Sequence, residues 1–445
     1  MPLGLYISVP FCRTKCSYCN FASDVFSKSA YEKYIARLLE DIANSRQISL
    51  KMGCAVDDQA DSIDLGGGTP SILDAAQLLR IFAAVRGQFA VAPDAEITVE
   101  CAPGTLTPAF IETLLQCGVN RVSLGVQSFV DREAQSVGRL HKRSTVLEEI
   151  ARLREAGLTN ISIDLIAGLP HQTSESWAFS VSETIATGVP HVSVYMLEVD
   201  EDSRLGRELI AGGARYHAHF VPDDDATADF YQQACAMLDS DGIAQYEISN
   251  FARSGSQLVS NESRHNLKYW TRQPYLGFGV DAHSMLPVIA WGRFTWGRAP
   301  SPVQAERSSA AAEFDDIAED SHQAVRFATP DSLDAYMNRV PHKVTPVSAR
   351  AAIEESFFLG LRLNRGIDLP LIMNCHPERS EGPVSLSSAI ESCVNDGLLQ
   401  QQGSILRLTA RGRLLSNEVF GQISIGKTTE RTEETKVGTG HVNPR

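Results

Sequence analysis

Between residues 5 and about 200, short β-rich runs alternate with longer stretches whose apolar positions recur at helical spacing. Tyr6–Val9, Ser62–Leu65, Glu96–Glu100, Arg121–Val126, Asn160–Ile166 and His191–Met196 read as strands. Between them Tyr31–Ala43, Ala75–Val85, Pro108–Cys117, Val146–Ala156 and Glu175–Thr187 read as amphipathic helices. Gly157 and Gly188 fall just past two of these, where a helix C-terminus favours a left-handed residue. Strands separated by helices predict a parallel sheet built from right-handed crossovers, hence an α/β fold closing as a full or partial (β/α) TIM-like barrel. The active site is then expected at the carboxyl ends of the strands.

Chemistry-bearing residues register with those ends. Cys12 follows the first strand, Gly66–Pro70 (GGGTP) the second, and Glu100 ends the third. Gln127 follows the fourth, Asp164 lies in the fifth with GLP just after it, and Tyr195 lies near the end of the sixth. Six coincidences of this kind point to one shared site.

Past residue 200 the pattern changes. Ala226–Leu238 reads as a helix, Gln245–Ile248 as a short strand, and residues 300–325 as a polar connector. From about Ser348 an amphipathic helix, a β-hairpin and a further helix predict a small α+β, winged-helix-like domain. CHPERSEGPVSL interrupts it as a surface insertion. The expected division is a barrel core over 1–250, a second region over 251–345, the small domain over 346–422 and a disordered tail over 423–445.

At 445 residues the chain exceeds one small core. No apolar run reaches the roughly 18 residues of a membrane span, and the N-terminus shows no secretion signal, so a cytoplasmic protein is expected. In that reducing setting its nine cysteines read as thiols or metal ligands. With 40 basic and 54 acidic residues the net charge is −14, which argues against a broad phosphate-binding face and against nucleic acid as partner.

Cys12, Cys16 and Cys19 form a CxxxCxxC run, while Cys54, Cys101, Cys117, Cys235, Cys375 and Cys393 are isolated. A structural zinc site needs four ligands, and so does a closed iron–sulfur cluster. Three on one loop suit a [4Fe–4S] cubane with one iron left open, to chelate the amino and carboxylate groups of S-adenosylmethionine (SAM). Three consecutive glycines let the backbone approach a ligand closely, and carbonyls at such a turn can accept from an ammonium group. Glu100, Gln127, Arg139 and Asp164 are the polar groups expected around SAM. Taken singly, each could equally serve an ordinary salt bridge or cap.

CxxxCxxC after a first strand and GGGTP after a second resemble the radical SAM superfamily. YISVPFCRTKCSYCNF, DLGGGTPS, RVSLGVQSF, GRLHKR and DLIAGLP resemble its HemN/HemW group, the oxygen-independent coproporphyrinogen oxidase-like proteins, from Tyr6 to about Phe420. The resemblance implies SAM contacts at Tyr6, Tyr18, Gly67, Gly68, Thr69, Glu100, Gln127, Arg139 and Asp164. The oxidase branch carries a further cysteine two residues after the third ligand; here Asn20 and Phe21 follow Cys19. RHNLKYW, residues 264–270, resembles the HNxxYW signature of the haem-chaperone branch, which implies haem binding at His265, Asn266, Tyr269 and Trp270. His283 is a second, less specific candidate. Residue types alone favour a packed aromatic corner around a hydrogen-bonded histidine; the signature reverses that preference.

The resemblance thus implies a haem carrier that holds a [4Fe–4S] cluster and SAM and delivers haem to haem proteins, including membrane respiratory complexes. A reductant such as flavodoxin or ferredoxin and a homodimer go with that expectation, and no residue is assigned a catalytic role. The alternative is an oxygen-independent coproporphyrinogen III dehydrogenase; a radical SAM enzyme modifying RNA or protein ranks third.

Overall fold

The computed structural model describes residues 1–255, 260–288, 322–374 and 383–423. The polar connector falls almost wholly outside the described residues, as do Cys375, most of the insertion that follows it, part of SQLVSNES, and the tail from residue 424.

Six strands arise where the hydrophobic pattern places them: β1 (Leu3–Val9), β2 (Gln59–Gly67), β3 (Ala90–Cys101), β4 (Arg121–Gln127), β5 (Ile161–Ala167) and β6 (His191–Met196). Six more extend the same sheet: β7 (Ile243–Gln245), β8 (Asn250–Arg253), β9 (Tyr275–Phe278), β10 (His283–Pro287), β11 (His322–Ala328) and β12 (Lys343–Ser348). The sheet runs β12-β11-β10-β9-β1-β2-β3-β4-β5-β6-β8-β7. From β9 through β6 all neighbours are parallel, while β8 pairs antiparallel with β6 and β10 with β9. The result is a partial barrel flanked by antiparallel edges. Residues 275–288 and 322–348 therefore continue the sheet of the core.

Both faces of the parallel strands are buried, for different reasons. Leu5, Ile7, Ile63, Leu65, Val99, Val122, Leu124, Ile163, Leu165 and Val192 pack outward with helix residues such as Ile35, Leu38, Leu78, Ile81 and Leu153 in one apolar core. Alternate positions turn inward: Tyr6, Ser62, Asp64, Glu96, Thr98, Arg121, Ser123, Ser162, Asp164 and His191. The lumen is thus polar. Local chemistry sets the helix ends: a capping box joins Asp74 to Gln77, Thr107 caps Phe110 N–H ahead of Pro108, and Gly188 adopts φ 67° at a C-terminus.

The strand expected over Gln245–Ile248 is shifted. β7 ends at Gln245, and Tyr246 and Ile248 are buried in the turn to β8, where Tyr246 N–H donates to Asn250 O at 3.1 Å and Glu247 bridges Leu363. After the helix Ala349–Leu361, the short β13 (Ile367–Asp368) joins the hairpin β14 (Leu399–Gln402) and β15 (Ile405–Leu408) in a three-stranded antiparallel sheet. The helices Pro383–Asn395 and Ser416–Ile423 complete this small α+β unit, whose own core includes Phe357, Leu361, Leu398, Leu406 and Val419. Among the described residues no helix is long and apolar enough to cross a membrane.

Candidate functional site

The loop after β1 carries the three cysteines and is fastened from several sides. Cys12 N–H donates to Asp24 O at 3.0 Å, Ser17 N–H to Val137 O at 3.1 Å, and Leu205 N–H to Ser17 O at 2.8 Å. Cys12 is buried, Cys16 and Cys19 are half-buried, and all three are free thiols. Gly67 takes φ 104°, and a Cβ at Gly68 would lie 2.7 Å from Phe11 O and 3.0 Å from Cys12 Sγ. Only glycine lets the GGGTP turn press this close on the cysteine loop. Thr69 Oγ1 reaches Cys12 Sγ at 3.7 Å.

Together these segments wall a solvent-open cleft, lined also by Tyr18, Phe21, Ala102, Pro103, Thr105, Arg139 and His141. Burial pushes the Cys12 and Cys19 thiols up, with neighbouring Cys16 adding to both. Arg139 acts in the opposite sense on Cys12 and donates from Nη2 to Tyr18 Oη at 3.0 Å. Burial, then Arg139, pulls the His141 imidazole down to about 4, so it is neutral, with Nε2 3.1 Å from Val126 O.

Below the cleft the inward side chains continue the site. Gly67 N–H donates to Glu100 Oε2 at 3.3 Å, and Ser123 Oγ lies 3.1 and 3.0 Å from the two Asp164 oxygens. Gln127 is fully buried on left-handed backbone, φ 70°, and neither atom of its amide has a hydrogen-bond partner. Asp64 Oδ1 and Thr98 Oγ1 are likewise buried without partners. Each such group costs about 1–3 kcal/mol if left unsatisfied, so together they mark a chamber built for polar contents. Burial, then Glu100 and Glu96, pushes the Asp64 carboxyl well above the usual range, and the same burial with Glu100 and Asp64 raises the Tyr6 hydroxyl. Sequence reasoning missed Asp64. Its signal was parity: it stands two residues before Gly66 and so shares the inward face.

The residues present fit a [4Fe–4S] cluster with SAM. Three free thiols border one cleft, and the orphaned Gln127 amide and Asp64 Oδ1 lie beneath it. Cys12, Cys16 and Cys19 would hold the cluster, with the GGGTP backbone, Glu100, Gln127, Arg139 and Asp164 around SAM. When bound, that pair supplies one-electron reduction of the sulfonium.

The HNxxYW residues lie at the opposite end of the barrel. They form the helix Arg264–Trp270, capped by Ser263 Oγ, beneath the amino ends of β1 and β2. His265 is 1% exposed, with Nδ1 3.0 Å from Ser62 Oγ and Nε2 2.9 Å from Tyr269 Oη. Burial, with Lys268 nearby, pulls its imidazole down to about 3. His265 N–H donates to Glu96 Oε1 at 3.0 Å; Glu96 faces Arg121 at 3.7 Å, and Arg121 donates to Asn160 Oδ1 and Asn261 O. Asn266 is buried, Tyr269 reaches toward the lumen, and Trp270 lies under the Arg362 guanidinium at 4.2 Å. In this arrangement both imidazole nitrogens of His265 are hydrogen-bonded, to Ser62 and Tyr269, so an iron ligand there has to displace one of those hydroxyls. Here the packed aromatic corner describes the geometry. His283 is exposed, 3.7 Å from Asp281.

Comparison with known proteins gives the family. Residues 6–179 match the Radical SAM superfamily model and residues 347–415 the HemN C-terminal domain. A protein named heme chaperone HemW from Bacillus subtilis is 32% identical over 421 residues, covering 94% of this chain and 97% of that one. A Lactococcus lactis protein of the same name is 31% identical, covering 94% and 96%. The solved structure of coproporphyrinogen III oxidase (HemN) from Escherichia coli, a radical SAM enzyme, superposes with a TM-score of 0.74 at 22% identity over 95% of this chain and 90% of that one, a likeness of fold. A [4Fe–4S] cluster and SAM are general to the superfamily, and the chain belongs to the HemN/HemW family of radical SAM proteins.

Proposed function

We propose that this protein is a haem chaperone: it binds haem, holds a [4Fe–4S] cluster on Cys12, Cys16 and Cys19 with SAM beside it, and passes haem to recipient haem proteins. The observation that carries this reading is similarity over 94% of the chain to proteins named heme chaperone HemW. Phe21 supports it, since an apolar ring lines the cleft where the oxidase branch has a further cysteine. Haem proteins of membrane respiratory complexes as recipients, a flavodoxin or ferredoxin as reductant, a cytoplasmic location and a homodimer belong to the same proposal.

The deciding experiment uses the full chain with its cluster reconstituted anaerobically. Haem is titrated in one arm; coproporphyrinogen III, SAM and reductant are supplied in the other. Stable stoichiometric haem binding without turnover to protoporphyrinogen is expected. Catalytic turnover would replace the chaperone with the anaerobic dehydrogenase.

A further inference from the structure

An electron bound for a cluster on Cys12, Cys16 and Cys19 has to enter through the surface, and little protein covers this loop. Cys16 and Cys19 are only half-buried. A Cβ at Gly138 would lie 3.6 Å from Cys16 Cα and 3.7 Å from Lys15 O, so the turn after Val137 rests directly on the cysteine loop. Thr14 Oγ1 fastens the two by donating to Gly138 O at 3.0 Å.

The charge of this cover is unlike that of the chain. Residues 13–20 and 138–142 hold four cations, Arg13, Lys15, Arg139 and Lys142, and no carboxylate, in a chain of net charge −14. Arg139 turns to Tyr18. Arg13 and Lys142 are exposed, and Lys15 is half-buried with Nζ donating to Phe21 O at 3.2 Å. Arg204, at the start of the helix Arg204–Ala211, donates to Lys15 O at 3.1 Å, and Arg207 is exposed three residues on. Among the described residues none of Arg13, Lys15, Lys142, Arg204 and Arg207 is in an ion pair, whereas Arg143 is paired with Glu183. Their charge is available to a partner.

Apolar side chains stand among these cations. Leu140 is 66% exposed between Arg139 and Lys142. Leu209 and Ile210 are exposed on the Arg204 helix, whose Leu205 N–H donates to Ser17 O at 2.8 Å. Apolar groups within a charged rim are the composition of a docking face. Carboxylates border it at Asp24 and at Asp200, Glu201 and Asp202. Asp24 accepts from Val25 N–H at 2.8 Å, and Asp200 from Asn20 Nδ2 at 3.3 Å and Asp202 N–H at 2.7 Å.

We propose that this face, centred on Thr14–Cys16 and Leu140, is where a small acidic electron-carrier protein docks to reduce the cluster. The proposal rests on the reading above that a flavodoxin or ferredoxin supplies the electron, and it adds the surface and the chemistry of recognition. One electron leaves the carrier's reduced flavin or iron–sulfur centre and enters the cluster; no bond forms or breaks. Opposite charge steers the carrier to the face. The bordering carboxylates repel its acidic surface and so restrict its orientation. A second copy of this chain is a poor occupant, because a two-fold contact sets the same cations against one another.

The test separates binding from reduction on the full-length chain, with flavodoxin and a plant-type ferredoxin as probes. Arg13→Glu/Lys142→Glu reverses the face without touching a thiol or a SAM contact. Lys51→Glu/Arg154→Glu makes the same change in net charge on the last turns of the helices that lead into β2 and β5. In low-salt calorimetry the face variant is expected to bind the carriers roughly tenfold more weakly than wild type, with a shallower salt dependence, while the control stays within about twofold. Thermal melts, and reduction of the reconstituted cluster by dithionite, should match wild type in both. Wild-type affinity in the face variant overturns the site, as does an equal loss in the control. So does loss of self-association, or of binding to phosphatidylglycerol vesicles, in a face variant that still binds the carriers. If reduced carriers leave the wild-type cluster oxidised while dithionite reduces it, the reductant reading itself fails, an outcome distinct from full affinity at the reversed face.

Discussion

The two ends of the barrel lumen differ in how their buried polar groups are satisfied. At the amino ends of the strands, Ser62, Glu96, Arg121, Ser162, His191, Tyr246, Ser263 and His265 are each hydrogen-bonded to one another or to backbone. At the carboxyl ends, Asp64 Oδ1, Thr98 Oγ1 and the whole Gln127 amide are buried with no partner, beneath a cleft bordered by three free thiols. A closed polar network rigidifies and specifies a fold; an open one is tolerated where a ligand completes it. The lower end is therefore a plug and the upper end a site, although both carry residues that the sequence marks as functional.

The largest effect is expected at the plug. His265→Ala removes a buried ring and strands Ser62 Oγ and Tyr269 Oη, two buried hydroxyls. Cavity and unpaired partners together should cost about 3–5 kcal/mol of folding stability, read as a shift of the urea midpoint. A change under about 0.5 kcal/mol would mean the helix Arg264–Trp270 is not docked in solution, and the contrast between the ends would collapse.

Gln127→Leu probes the other end and should behave in the opposite way. The amide has no partner to lose, so an apolar residue of similar volume leaves stability within about 1 kcal/mol of wild type or raises it. SAM affinity of the reconstituted protein should fall about tenfold by calorimetry, near 1.4 kcal/mol. Lost stability with intact SAM binding would move Gln127 from the site to the scaffold.

How much of this the sequence carried follows from the same contrast. The outward faces of β1–β6 are aliphatic and the intervening helices capped, so strand order and the strand-end register of Cys12, Gly66, Glu100, Gln127 and Asp164 were legible. The inward faces were not. Glu96, Arg121 and His191 look solvent-bound in a linear pattern, because what buries them is the closing of the sheet. β9 was obscured for a related reason: YLGF is four residues long, and its partner β1 lies some 270 positions earlier. At 264–270 the motif was legible but its environment was not. Pattern identifies HNxxYW, whereas only the fold shows that Gly4 and Ser62 press on the His265 ring.

The smallest effect sharpens the comparison by pH. The folded-state pKa of His265, about 3, lies below the ordinary 6.5, so between those values the unfolded chain binds a proton that the folded chain refuses. Its contribution to stability is fully present above the unfolded pKa and is lost as pH falls, by at most about 1.4 kcal/mol per unit. His141 and His191, pulled down by burial, act in the same direction, so wild type should be steeply acid-sensitive and His265→Gln less so. Between pH 7 and 5.5 the variant should lose about 1 kcal/mol less than wild type in urea-unfolding free energy. Parallel pH profiles would mean that His265 accepts its proton in the folded state, as an imidazole open to solvent does, and the plug would then be a second mouth.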